Sequence, residues 1–161
     1  MTTKKKVRGT LARLEVLEDR HAARVVKIEE QKTATLARAL DLLTGEDRAA
    51  FWECMDAQED VALWARLRVM LAHLEDMPLD LPGAEEARVW ARELADLPDG
   101  VPFPLPADTF LFAGYFEAEA RRGEEMARAV PLSLEAQSMS RWVTAQWRFE
   151  AAAVRVIGGQ P

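Results

Sequence analysis

No glycine or proline occurs between Thr10 and Thr44, and this stretch constrains the chain more than any other part of it. Gly9 and Gly45 bracket it, and Lys4-Lys5-Lys6 lead into it. A helix of that length reaches roughly 50 Å, several times the span of an ordinary globular helix. Residues 1–9 are short, polar and basic, and are expected to fray. From Val7 onward a 4-3 spacing threads Val7, Leu11, Leu14, Glu18, His21, Val25, Ile28, Lys32, Thr35, Ala39 and Leu42. Such a seam resembles a coiled coil at its start, but Glu18, His21, Lys32 and Thr35 dilute it. Leu36, Leu40 and Leu43 widen the apolar face near the end, which suits packing inside a bundle.

The charges of the same stretch are sorted. At about 100° per residue, Lys6, Arg13, Arg20, Arg24, Lys27 and Arg38 fall within about 60° of one another. Glu15, Glu18, Asp19, Glu29 and Glu30 occupy another side. Residues 1–40 hold ten Lys/Arg against five Asp/Glu, whereas residues 41–161 hold eleven against twenty-two. A basic arm on an acidic body points to a polyanion-facing end or to self-complementary assembly.

Beyond it, Thr44-Gly-Glu-Asp47 reads as a capping box, and the tight junction predicts an antiparallel hairpin. Residues 46–77 fit one helix or two, with a break at Asp56–Asp60. Leu63, Leu67, Met70, Leu74 and Met77 form a seam there, and Phe51, Trp52 and Met55 a bulky cluster before it. All eight prolines lie from Pro78 onward. Ala84 to Leu97 is amphipathic, with Ala87, Trp90, Ala91, Leu94 and Leu97 on one face. Val101-Pro-Phe-Pro-Leu-Pro106 reads as extended, polyproline-like backbone. Asp108 is the expected N-cap of a helix from Thr109 to about Val130, and Ser133 that of a last helix from Leu134 to about Ile157. Val143, Trp147, Ala151 and Val154 line one side of that helix, and Trp142, Phe149 and Val156 another. A helix apolar on two sides is central in a fold or shared with a partner.

The expected class is therefore all-α. A long N-terminal helical hairpin (1–77) with a basic arm joins a smaller helical part (78–161) with proline-rich connectors, the two forming one structural unit. Composition agrees. Alanine occurs 27 times and β-branched residues are few, which favours helix. With 161 residues, a core needs no disulfide or metal staple. The single cysteine, Cys54, excludes an internal disulfide framework and points to a reducing compartment. No apolar run approaches the roughly 20 residues of a membrane span, and no apolar stretch follows the basic N-terminus as in a secretory signal. The expected location is the cytoplasm, with no membrane association.

Chemistry-bearing patterns are few. His73 and Asp76 share an i, i+3 spacing, but two ligands make no metal site. Carboxylates recur at that spacing in Glu53–Asp56 and Glu93–Asp96. Glu93-Leu-Ala-Asp96 resembles the ExxD half of the MazG-type nucleotide pyrophosphatases. Their upstream ExxE is missing, since residues 65–81 supply only Glu75, Asp76 and Asp80, and exposed helix acids are the default. Glu-x-x-His pairs of di-iron bundles are absent. Cys54, between Trp52 and Met55, reads as a buried, inert thiol. No phosphate loop, nucleophile elbow or Cys-x-x-Cys pair occurs. No catalytic residue, metal or cofactor is expected.

The expected function is a non-enzymatic interaction protein that self-associates through the first or the last helix, the expected partner being a second copy or another protein. The interface candidates are Leu11, Leu14, Val25, Ile28, Trp142 and Trp147. The alternative is accessory DNA or RNA binding by a basic stripe of Lys4, Lys5, Lys6, Arg8, Arg13, Arg20, Arg24, Lys27 and Arg38, which would track phosphates. That stripe lacks interleaved aromatics to stack bases.

Overall fold

A computed structural model describes the backbone of residues 2–75 and 81–160, and the side chains of 13–72 and 81–160. The described residues form six helices and no strand: α1 (Thr2–Asp41), α2 (Gly45–Ala57), α3 (Val61–Glu75), α4 (Ala84–Ala95), α5 (Thr109–Ala129) and α6 (Leu134–Ile157).

Helix α1 starts earlier than the glycine at position 9 suggests. It runs from Thr2 through Gly9, so the expected frayed segment is helical backbone. One glycine inside a helix costs about 1 kcal/mol against alanine, too little to stop forty residues. The helix ends where Arg48 reaches back. Its Nε donates to Leu40 O at 3.0 Å, and its Nη2 to Asp41 O at 3.2 Å and Leu43 O at 3.4 Å. These bonds satisfy carbonyls that have no partner inside the helix.

Thr44 caps α2 as expected, accepting from Asp47 N at 3.1 Å while its hydroxyl donates to Asp47 Oδ2 at 2.7 Å. The chain then breaks after Ala57, which decides for two helices over 46–75. Asp60 supplies the restart, its Oδ1 accepting from Ala62 N at 3.0 Å and Leu63 N at 3.2 Å. Leu63, Leu67 and Met70 of the α3 seam are covered, Leu67 fully. Leu74, the His73–Asp76 pair and Met77 lie outside the described side chains. Asp108 and Ser133 cap α5 and α6, accepting from Leu111 N at 2.8 Å and Ala136 N at 3.2 Å.

The core is built around α6, and its two apolar sides receive different partners. Met139, Val143, Trp147, Ala151 and Val154 pack with Phe112, Tyr115, Phe116 and Ala120 of α5, Ala87 and Trp90 of α4, Leu67 of α3 and Cys54 of α2. Ala145, Phe149, Ala152, Ala153 and Val156 pack with Ala39 and Leu43 at the end of α1 and Ala50 and Phe51 of α2. Trp147 stacks on Phe116 with centroids 5.8 Å apart, and Phe51 meets Phe149 at 4.6 Å. The turn between α1 and α2 falls where the capping box puts it. Both arms then lie chiefly against α6. The two clusters draw residues from either side of 76–80.

The connector 96–108 packs on its own chain. Trp90 Nε1 donates to Pro104 O at 3.0 Å, and Phe103, Pro104 and Pro106 are half-buried. Phe116 has no accessible surface at the centre of this core. Phe116→Ala is expected to cost about 3–5 kcal/mol, read as a lowered midpoint in urea denaturation followed by circular dichroism. A loss below about 1 kcal/mol would mean that α5 and α6 do not meet there.

Candidate functional site

Helix α1 is covered along only part of its length. Its final turns are held in the cluster of Ala39 and Leu43, with Leu36 and Leu40 packed against them. Ile28 is buried and Val25 half-buried. Among the described side chains, the first tie to the rest of the chain, counting from the N-terminus, is at Gly100. A methyl group placed on Gly100 would lie 2.7 Å from Val25 Cγ2, and the residue has a φ of +73°, so glycine is needed there twice over. The Gly100 N–H donates to Glu29 Oε1 at 2.7 Å, and Lys32 Nζ donates to the same oxygen at 3.0 Å. These two donors, Gly100 first, hold the Glu29 carboxyl below its ordinary range. Lys32 also sits 5.6 Å from the centroid of the Phe103 ring, a cation–π contact.

Every described side chain before this clasp, from Arg13 to Arg24, is exposed. Leu14 keeps 49 % of its surface and Leu17 58 %. Position on the helix makes that exposure informative. About five whole turns take 18 residues, so Leu14 lies in line with Lys32, Leu17 with Thr35 and His21 with Ala39. The face that the bundle covers at its far end therefore continues as an uncovered stripe of Leu14, Leu17 and His21. Beside it stand Arg13, Arg20, Arg24 and Lys27. With Arg38, all are exposed, and none forms an ion pair or side-chain hydrogen bond among the described residues. Lys4, Lys5, Lys6, Arg8 and Leu11 lie outside the described side chains, on helical backbone.

The other interface candidates fall inside the fold. Val25 faces Gly100, Ile28 is buried, and Trp147 is stacked on Phe116. Trp142 borders both core clusters and donates from Nε1 to Glu53 Oε2 at 3.1 Å. Packing within the chain takes these four out of an exposed seam, and with both sides of α6 occupied the last helix offers no second one.

The acids of the sequence patterns are likewise placed. Glu53 is engaged by Trp142 and lies 3.7 Å from Arg141, and Glu93 and Asp96 are exposed on and just after α4. Among the described residues no three His, Cys, Asp or Glu side chains gather as a metal cage. Cys54 is buried, and burial pushes its thiol above the ordinary value, as an inert cysteine requires.

Two buried polar arrangements escaped the sequence. Glu119, 3 % exposed, accepts from Tyr115 Oη at 2.9 Å and faces Arg88 at 3.5 Å and Arg122 at 3.8 Å, while Arg88 Nε donates to Tyr115 Oη at 2.6 Å. Burial is the main cause that raises the Tyr115 phenol to about 12, so it stays neutral and donates. This network ties α4 to α5. Asp47, also buried, accepts from Arg148 Nη1 at 2.6 Å, and Arg148 pairs with Glu124 as well, joining α2, α5 and α6. Arg148 separates two clefts of about 600 and 340 Å³ on that side, but its charge is already matched by the two acids.

Glu150 is different. It projects between the two packed sides of α6, in the sector of Trp142 and Ile157, and its Oε2 is sealed from solvent without a hydrogen-bond partner. Burial alone pushes its carboxyl up from 4.5 to about 7. An acid between Trp147, Phe149 and the Ala151-Ala-Ala153 run was the available signal.

Compared with protein-family models, curated proteins and solved structures, the chain matches none.

The sign of the Glu150 effect follows from its raised value. The folded chain keeps this proton up to about pH 7, whereas the unfolded chain releases it near 4.5. Stability is therefore expected to fall as pH rises from 4.5 to about 7 and to level off above, by about 3 kcal/mol in all. Glu150→Gln should remove that slope and be the more stable protein at pH 8, in urea titrations across the range. Parallel profiles for the two proteins would show a solvated carboxyl.

Proposed function

We propose that this chain is a non-enzymatic helical assembly protein that self-associates through the N-terminal part of α1. One observation carries the reading. The stripe of α1 that its own bundle covers from Val25 onward continues uncovered through Leu14, Leu17 and His21. A helix gains most of its stability by burying such a stripe, and an isolated one is marginal in water. A second helix laid on Leu14 and Leu17 supplies what the bundle supplies further along. The lone, buried Cys54 fits a reducing, cytoplasmic setting.

Leu14→Glu with Leu17→Glu is expected to turn a dimer into a monomer. Two leucines lost from a buried seam weaken pairing about a hundredfold or more. Sedimentation equilibrium reads this directly, and the thermal midpoint of the monomeric bundle should stay put because neither residue touches it. A parent protein that is already monomeric at tens of micromolar would sink the proposal.

A second reading rests on the free cations. Arg13, Arg20, Arg24, Lys27 and Arg38 are exposed and, among the described residues, unpaired, on a helix whose opposite flank carries the acids. A phosphate backbone of DNA or RNA fits such a stripe without base recognition. Retention of a short duplex should then drop steeply between low and moderate salt, and changing Arg13, Arg20, Arg24 and Lys27 to Glu should abolish it. Equal retention by the parent and the changed protein would discard nucleic acid as a ligand.

A further inference from the structure

Resting on the self-association reading, we infer that two copies pair antiparallel along residues 2–24, the N-terminal tip of each helix reaching the acidic 96–100 loop of the other. Two independent features fix the direction.

The first is space. From Val25 onward, the face of α1 that bears Leu14 and Leu17 is occupied by its own chain: the Gly100 loop, then Phe103, then α6. In a parallel pair both bundles would need the same volume between the two helices. Antiparallel, each incoming helix lies on Leu14, Leu17 and His21 and stops where the bundle begins. The bundles then stand at opposite ends of a shared segment of roughly 35 Å. Its midpoint, and so the two-fold axis, falls beside Leu14.

The second is charge. The step where the free stripe meets the bundle is the turn carrying Gly100, and Asp96 and Asp99 are exposed beside it. An antiparallel partner brings to that step the end of its helix, whose sequence is Lys4-Lys5-Lys6. A parallel partner would set basic tip against basic tip and acidic turn against acidic turn. The split between a basic arm and an acidic body thus becomes complementarity between two copies, used twice by symmetry.

The experiment is double electron–electron resonance on the full chain, in a Cys54→Ala background with one spin label at Glu30→Cys, an exposed position beyond the paired segment. Antiparallel pairing is expected to give a separation of roughly 50 Å between labels. A separation under about 25 Å would mean parallel helices and overturn the inference while leaving self-association standing. No dipolar signal, with a monomer in sedimentation, would remove both. In a second arm, Asp96→Lys with Asp99→Lys should raise the dimer Kd about tenfold, and Lys4→Glu with Lys5→Glu in the same chain should recover most of that loss. An unchanged Kd on charge reversal would show that the tip does not reach the turn.

Discussion

A helix with two apolar sides cannot be left with one of them wet, and α6 imposes that condition on the rest of the chain. Burying Val143, Trp147 and Val154 takes the aromatic half of α5, with α4 and α3 behind it. Burying Phe149, Ala152 and Val156 takes α2 and the last turns of α1. Small residues decide how closely these layers approach. Ala145 and Ala153 have no accessible surface, so α1 and α2 come near the α6 backbone, and larger side chains there would hold them off. The surplus length of α1 has no such obligation, because α6 has no third apolar side to offer.

Polar groups lock the layers where hydrophobic contact alone leaves freedom to slide. Glu119 with Tyr115 and Arg88 fixes α4 on α5, and Asp47 with Arg148 fixes α2 on α6. Buried charges are costly unless matched, and each of these carboxylates is met by a guanidinium. Glu150 has no such match, and burial favours its protonated form, toward the end of the hub helix.

Local signals were legible in the sequence. Asp108, Ser133 and Thr44 announce their helices because a cap needs only its own first turn. The two-sided pattern of α6 left open a central place or one shared with a partner, and packing within the chain covers both sides. What was not legible depends on residues distant in the chain. Val25 and Ile28 look like seam residues for a partner helix, and Glu29 like one more acid on the acidic side of the helix. All three are claimed instead by their own chain, Glu29 through a backbone N–H 71 positions away. Lys32, a poor seam residue by pattern, is placed by Phe103, which no spacing rule connects to it. Gly9 misled in the opposite sense, since one weak helix former does not outweigh its neighbours. Of the candidate site, Leu14, Arg13, Arg20, Arg24, Lys27 and Arg38 are exposed.

The clasp of Gly100 on Val25 and Glu29 lies more than halfway along a helix of roughly 60 Å, with the bundle on one side of it and, on the other, a shaft whose described side chains are all exposed. Mechanically it is a fulcrum. A tilt of about 5° there carries the far end of the shaft about 3 Å, given its length of roughly 35 Å. One backbone hydrogen bond and one glycine without a side chain thus set the aim of everything the first helix presents to its surroundings.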